Sequence, residues 1–112
     1  MNWTELNLAQ LDDAMIEVGF EPIRHLEYED HSGSTIKLNP SFEMPGTGGI
    51  WCLAIEVTDP ASAFAFVVAA SRQLTREQTA DLAECAREHH TYRRVGDTTA
   101  TYYFRHFVLE EI

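Results

Sequence analysis

Between Ile50 and Val57 the chain is apolar on both alternating faces: Trp51, Leu53, Ile55 and Val57 point one way from a strand, Ile50, Cys52 and Ala54 the other. A strand of this kind belongs in the middle of a sheet with material packed over each side. Upstream, Leu8, Leu11, Ala14, Met15 and Val18 recur at helical spacing while Asp12, Asp13 and Glu17 face away, so residues 7–18 read as an amphipathic helix. Asn7 is its N-cap, Gln10 stands at the capping-box position, and Leu6 with Leu11 forms a hydrophobic staple. Gly19-Phe20 fits a Schellman ending with Phe20 folding back on Met15.

A hairpin follows. Leu26 and Tyr28 alternate with His25, Glu27 and Glu29; Ile36 and Leu38 alternate with Thr35, Lys37 and Asn39; His31-Ser32-Gly33-Ser34 supplies the turn. Pro40 to Gly49 reads as a loop from its prolines and glycines. Residues 60–73 fit two descriptions. Five alanines between 61 and 70 and an Asp59-Pro60 start favour a helix, whereas Phe64-Ala65-Phe66-Val67-Val68 favours a second buried strand, and the Phe and Val enrichment tips the reading to the strand. Thr75 with Gln78 caps another helix, whose stripe is Thr79, Leu82, Ala83 and Ala86 and which ends near His90. Gly96-Asp97 joins Tyr92–Val95 to a long final strand from Thr99 to Leu109. The expectation is one α+β domain over 1–112. Its order is α-β-β-β-β-α-β-β, with an antiparallel sheet of five to six strands, two helices packed on one face, and residues 60–73 as the alternative helix.

Charge changes the picture more than composition does. The chain carries net −10, and residues 1–59 hold eleven of the eighteen acids against only Arg24 and Lys37. Such a field repels nucleic acid and membranes and attracts basic partners within a Debye length of about 8 Å. No positive segment leads into an apolar one near Met1, and no apolar run approaches a membrane span, so a cytoplasmic protein is expected, with Cys52 and Cys85 reduced.

Catalytic patterns are sparse. Asp81, Cys85 and His89 lie one turn apart on a helix and are the best local metal set, but a closed zinc site needs four ligands. Cys85 with His89 or His106 as base would need a lowered thiol pKa, and it sits away from the helix N-terminus that would provide one. Gly46-Thr47-Gly48-Gly49 precedes a strand with no lysine after it, unlike a phosphate cradle. Arg93, Arg94 and Arg105 with Tyr92, Tyr102 and Tyr103 have the makings of a single-strand nucleic-acid surface, which the overall charge opposes. Exposed aromatics at Tyr103 and Phe107 would suit an edge-strand contact, including a homodimer.

In element order, size and acidity the chain resembles the type III secretion chaperone-like fold, whose members cradle a partner polypeptide. It departs from them in ending on Tyr102-Tyr103-Phe104-Arg105-His106-Phe107 rather than a helix. The resemblance implies a fold and a protein-binding role. The function expected is therefore a non-catalytic acidic module, with no cofactor or metal, that offers Asp12, Asp13, Glu17, Glu27, Glu29 and Asp30 to a basic protein surface. It would act as an inhibitor of a nucleic-acid enzyme, in the manner of phage anti-CRISPR or nuclease-immunity proteins, or as a chaperone-like binder. The alternative is a small-ligand protein or a metal or thiol enzyme using Cys85, His89 or His106.

Overall fold

A computed structural model describes residues 3–43, 51–87, 90–91 and 99–111. Along the chain it places β1 (Thr4–Asn7), α1 (Leu8–Glu17), β2 (Glu21–Arg24), β3 (Glu27–Glu29), β4 (Thr35–Glu43) and β5 (Trp51–Val57). Then come α2 (Ser62–Ser71), α3 (Arg76–Arg87), β6 (His90–Thr91), β7 (Ala100–Phe104) and β8 (Phe107–Glu110). Six strands form one antiparallel sheet in the order β2-β3-β4-β5-β7-β6, and β1 pairs in parallel with β8 beside it. The expected α+β class and antiparallel sheet are what the chain adopts. The expected turn at Gly96-Asp97, the strand Tyr92–Val95 and the Gly46–Gly49 segment lie outside the described residues.

β5 is central, as its two apolar faces require. Leu53, Ile55 and Val57 are fully buried in the main core with Ile36 and Leu38 of β4 and Ala100, Tyr102 and Phe104 of β7. Cys52 and Ala54, on the opposite face, are equally enclosed in a small cluster with Tyr103. All three helices turn their buried residues to the main core: Leu11 and Met15 from α1, Phe66 and Ala70 from α2, Leu82 and Ala86 from α3.

Four local readings are corrected. Residues 62–71 are helix, not strand, so the layer holds three helices where two were expected. Helix propensity wins because α2 is wedged between α1 and α3 over the sheet, where an element apolar nearly all round is stable. The final strand is broken at Arg105-His106, where His106 takes φ +71°. Phe104 and Phe107, which one continuous strand would set on opposite faces, thereby both reach the main core. β4 runs on through Pro40, because Pro40 and Ser41 together stand against Leu53 alone in a bulge that needs no proline N–H. Finally, the expected strand over residues 25–29 begins only at Glu27, and residues 21–24 form a further strand, β2, joined to it by a tight turn at His25-Leu26.

The helix ends follow the sequence closely. Asn7 Oδ1 accepts the Gln10 N–H at 3.0 Å, and Leu6 and Leu11 are both fully buried. Gly19, at φ +94°, allows the Schellman pair of bonds, Phe20 N–H to Met15 O at 2.9 Å and Gly19 N–H to Ile16 O at 3.0 Å. Thr75 and Gln78 make the full reciprocal box, at 2.9 and 3.1 Å. At α1, however, the reciprocal bond comes from elsewhere. The Asn7 N–H donates to Gln73 Oε1 at 2.6 Å, and Gln73 Nε2 donates back to Asn7 O at 3.1 Å. One amide thus pairs with a backbone unit as a strand would, tying the β1–α1 junction to the α2–α3 turn. Gln73→Ala leaves both groups of Asn7 without that partner in a half-buried site and should cost about 1–2 kcal/mol in urea unfolding, with little change in far-UV circular dichroism.

Candidate functional site

The six acids singled out from the sequence do not form one open face. Asp12 is half-buried and accepts a hydrogen bond from the phenol of Tyr28, which points from β3 toward α1. Glu17 forms an ion pair with Arg72 at the end of α2. Glu27 pairs with Arg24 at 2.8 Å across the β2–β3 turn. Asp30 folds into its own hairpin, its Oδ1 accepting from Ser32 N–H at 3.0 Å, Ser32 Oγ at 2.8 Å and Ser34 N–H at 2.9 Å. Slight desolvation, which would raise the Asp30 pKa, is outweighed by these bonds, and its carboxyl is held below the usual range. Asp13 and Glu29 remain exposed.

Strand alternation separates the set further. Tyr28 faces the helices, so Glu27 and Glu29 project from the other side of the sheet. There Glu27, Lys37 and Glu56 stand in register across β3, β4 and β5, a row of alternating charge that continues to Thr101 of β7. Its three charged members line a shallow cleft of about 150 Å³ with Thr35, Thr58 and Thr99.

A larger groove, about 390 Å³, opens where the end of α1 meets the edge strand β2; it is lined by Ile16, Gly19, Glu21, Ile23, Glu29, Asp30 and His31. Every residue of β2 is exposed. Ile16 and Ile23, at 52% and 42% exposure, are large apolar side chains of this lining that are open to solvent. Glu21 lies directly opposite Glu29 in the β2–β3 register, an arrangement of like charges that destabilises a sheet. Among the described residues no lysine or arginine lines the groove. Only Glu29 and Asp30 of this site were singled out from the sequence. Glu21 and Ile23 were missed because β2 was not read as a strand, and Ile16 because it lies off the apolar stripe of α1.

The catalytic alternatives gain little support. Among the described residues no three His, Cys, Asp or Glu side chains are grouped to hold a metal ion. His89 lies outside the described residues. Cys85 is half-buried against the core, and Asp81 is exposed. His106 is exposed on the β7–β8 turn, edge-on to Trp3 with ring centroids 6.3 Å apart. Burial, with Cys85 adding and Arg105 opposing, pushes the Cys52 thiol up, away from a reactive thiolate. Tyr103 and Phe107, expected as exposed contacts, are 5% and 2% exposed and belong to the interior. Arg93 and Arg94 lie outside the described residues. No helix among the described residues is long and apolar enough to cross a membrane.

No family model, no curated protein and no solved structure matches this chain.

The Asp12–Tyr28 contact is a structural bond with a pH signature. Burial first, then the bond to Asp12 and its negative charge, hold the Tyr28 phenol well above its ordinary value. A raised pKa means stability that is complete below the unfolded phenol's value of about 10 and is lost as pH rises beyond it. Tyr28→Phe should cost about 1–3 kcal/mol at neutral pH, because Asp12 loses its donor. Measured by urea unfolding across the alkaline range, the gap between the two proteins should narrow above about pH 10.

Proposed function

We propose that the chain is a non-catalytic binding module that takes a basic, partly apolar segment of another protein into the groove between α1 and the β2 edge. The observation that carries this reading is the facing pair Glu21 and Glu29, in a groove lined also by two exposed isoleucines and by no lysine or arginine among the described residues. In the isolated chain this pair opposes folding. A lysine or arginine laid between the two carboxylates removes the repulsion, while aliphatic neighbours cover Ile16 and Ile23. Such segments occur on the phosphate-binding clefts of nucleic-acid enzymes, where carboxylates can stand in for phosphate, and on chaperone clients. Both belong to the class of basic protein surface that the net charge of −10 attracts at long range.

Glu21→Gln/Glu29→Gln tests the reading because its two effects run in opposite directions. Urea unfolding should show the double variant more stable by roughly 0.2–1 kcal/mol, since like charges no longer face each other. Titration calorimetry with a peptide alternating arginine and leucine should show affinity weakened about tenfold. For the unaltered protein, affinity should fall steeply as salt is raised. Unchanged affinity in the variant, or binding indifferent to salt, would rule the groove out.

A further inference from the structure

The outer side of α2 is not accounted for by the groove. From Ala63 to Ala70 the helix is eight apolar residues without a break, and a helix of that composition is ordinarily enclosed on every side. Here one side is open: Phe64 is 58% and Val68 53% exposed, the two most exposed large apolar side chains among the described residues. With Ala61, Ala65 and Arg72 they form a ridge at helical spacing, with small side chains at Ala61 and Ala65 beside the two large ones.

We propose that this ridge is a self-association surface, on which a second copy of the chain docks its own α2 antiparallel about a two-fold axis. Three observations select a second copy over other occupants. Residues 60–76 contain no acid, only Arg72 and Arg76, and the Glu17 carboxylate that reaches the end of the helix is paired with Arg72, so two copies meet here with little repulsion. The ridge is self-complementary in shape, because antiparallel docking sets Phe64 against Val68 of the second copy while Ala61 and Ala65 leave room for the approach. It is also self-complementary in charge. Exposed Asp59 precedes the helix and Arg72, exposed although it holds Glu17 of its own chain, follows it, so antiparallel copies bring each Asp59 beside the opposite Arg72, whose guanidinium is then shared between the two carboxylates. The surface does not overlap the α1–β2 groove, and the proposal is independent of what that groove binds.

Sedimentation equilibrium of the full chain tests it, from about 10 μM to about 1 mM and at low and high salt. The expected result is a species of twice the 12.7 kDa chain mass that tightens as salt rises, because screening removes the repulsion between two acidic copies. That dependence is opposite to the one expected for a basic partner. Phe64→Asp/Val68→Asp sets like charges across the axis and should weaken the dimer by about a hundredfold or more. Phe64→Ser/Val68→Ser serves as the milder pair, and circular dichroism checks that both retain the helical signal. A monomer at every concentration, or a dimer unmoved by a folded double variant, would overturn the proposal.

Discussion

Closure of both faces of β5 is the constraint from which the rest of the architecture follows. Cys52, Leu53, Ala54, Ile55 and Val57 each keep 1% exposure or less, so among the described side chains of this strand only Glu56 reaches solvent. β4 and β7 must then flank it in register. β5 and β6 are both antiparallel to β7 and hence parallel to one another, so the chain must cross over the sheet between them. That crossover is the α2–α3 pair, laid on the same face as α1. It places α2 in the middle of the helical layer, against α1 on one side and α3 on the other. The sheet and two helices enclose three sides of α2, and the fourth becomes the Phe64–Val68 ridge.

What could be read from the sequence was whatever is decided within a few residues. The N-cap at Asn7, the Schellman ending at Gly19, the box at Thr75 and the turn at Ser32-Gly33 all depend on neighbours three or four positions away. The structure makes each of them as the sequence indicates. α2 was harder because Ala63–Ala70 has no periodicity to read: eight apolar residues suit a buried strand or a buried helix equally. The choice came from tertiary surroundings, with the alanines fitting a closely packed helical layer. The break at His106 was illegible for a related reason. A histidine carries no mark of a left-handed backbone, and the turn is fixed by the distant Thr4 N–H donating to His106 O at 2.7 Å.

Charge illustrates the same divide. The sequence showed that acids crowd the first half of the chain, but not which of them the fold would occupy. Asp12 is taken by Tyr28, sixteen residues away, and Glu17 by Arg72, far beyond it in the chain. Asp30, which the sequence alone offered to a partner, bonds to its own turn. Counting carboxylates therefore overstated the number available to a partner, while the pair that the fold does leave facing, Glu21 and Glu29, was hidden by the misplaced strand boundary.

That pair depends in turn on one strained residue. Leu26 occupies the second position of the β2–β3 turn at φ +63°, where a bulky side chain costs about 1–2 kcal/mol relative to ordinary backbone. Two contacts offset the strain: the Leu38 N–H donates to Leu26 O at 2.8 Å, and the Leu26 side chain packs against the main core. Because the turn has only two residues, Arg24 is held opposite Glu27, and the irregularity between Pro22 and Arg24 then sets Glu21 against Glu29. A turn one residue longer would exchange the faces of β2 and separate the two carboxylates. The most exposed strand of the sheet is thus fixed in register by a leucine that reaches back to the core, and the like-charged pair persists because the turn permits no other alignment.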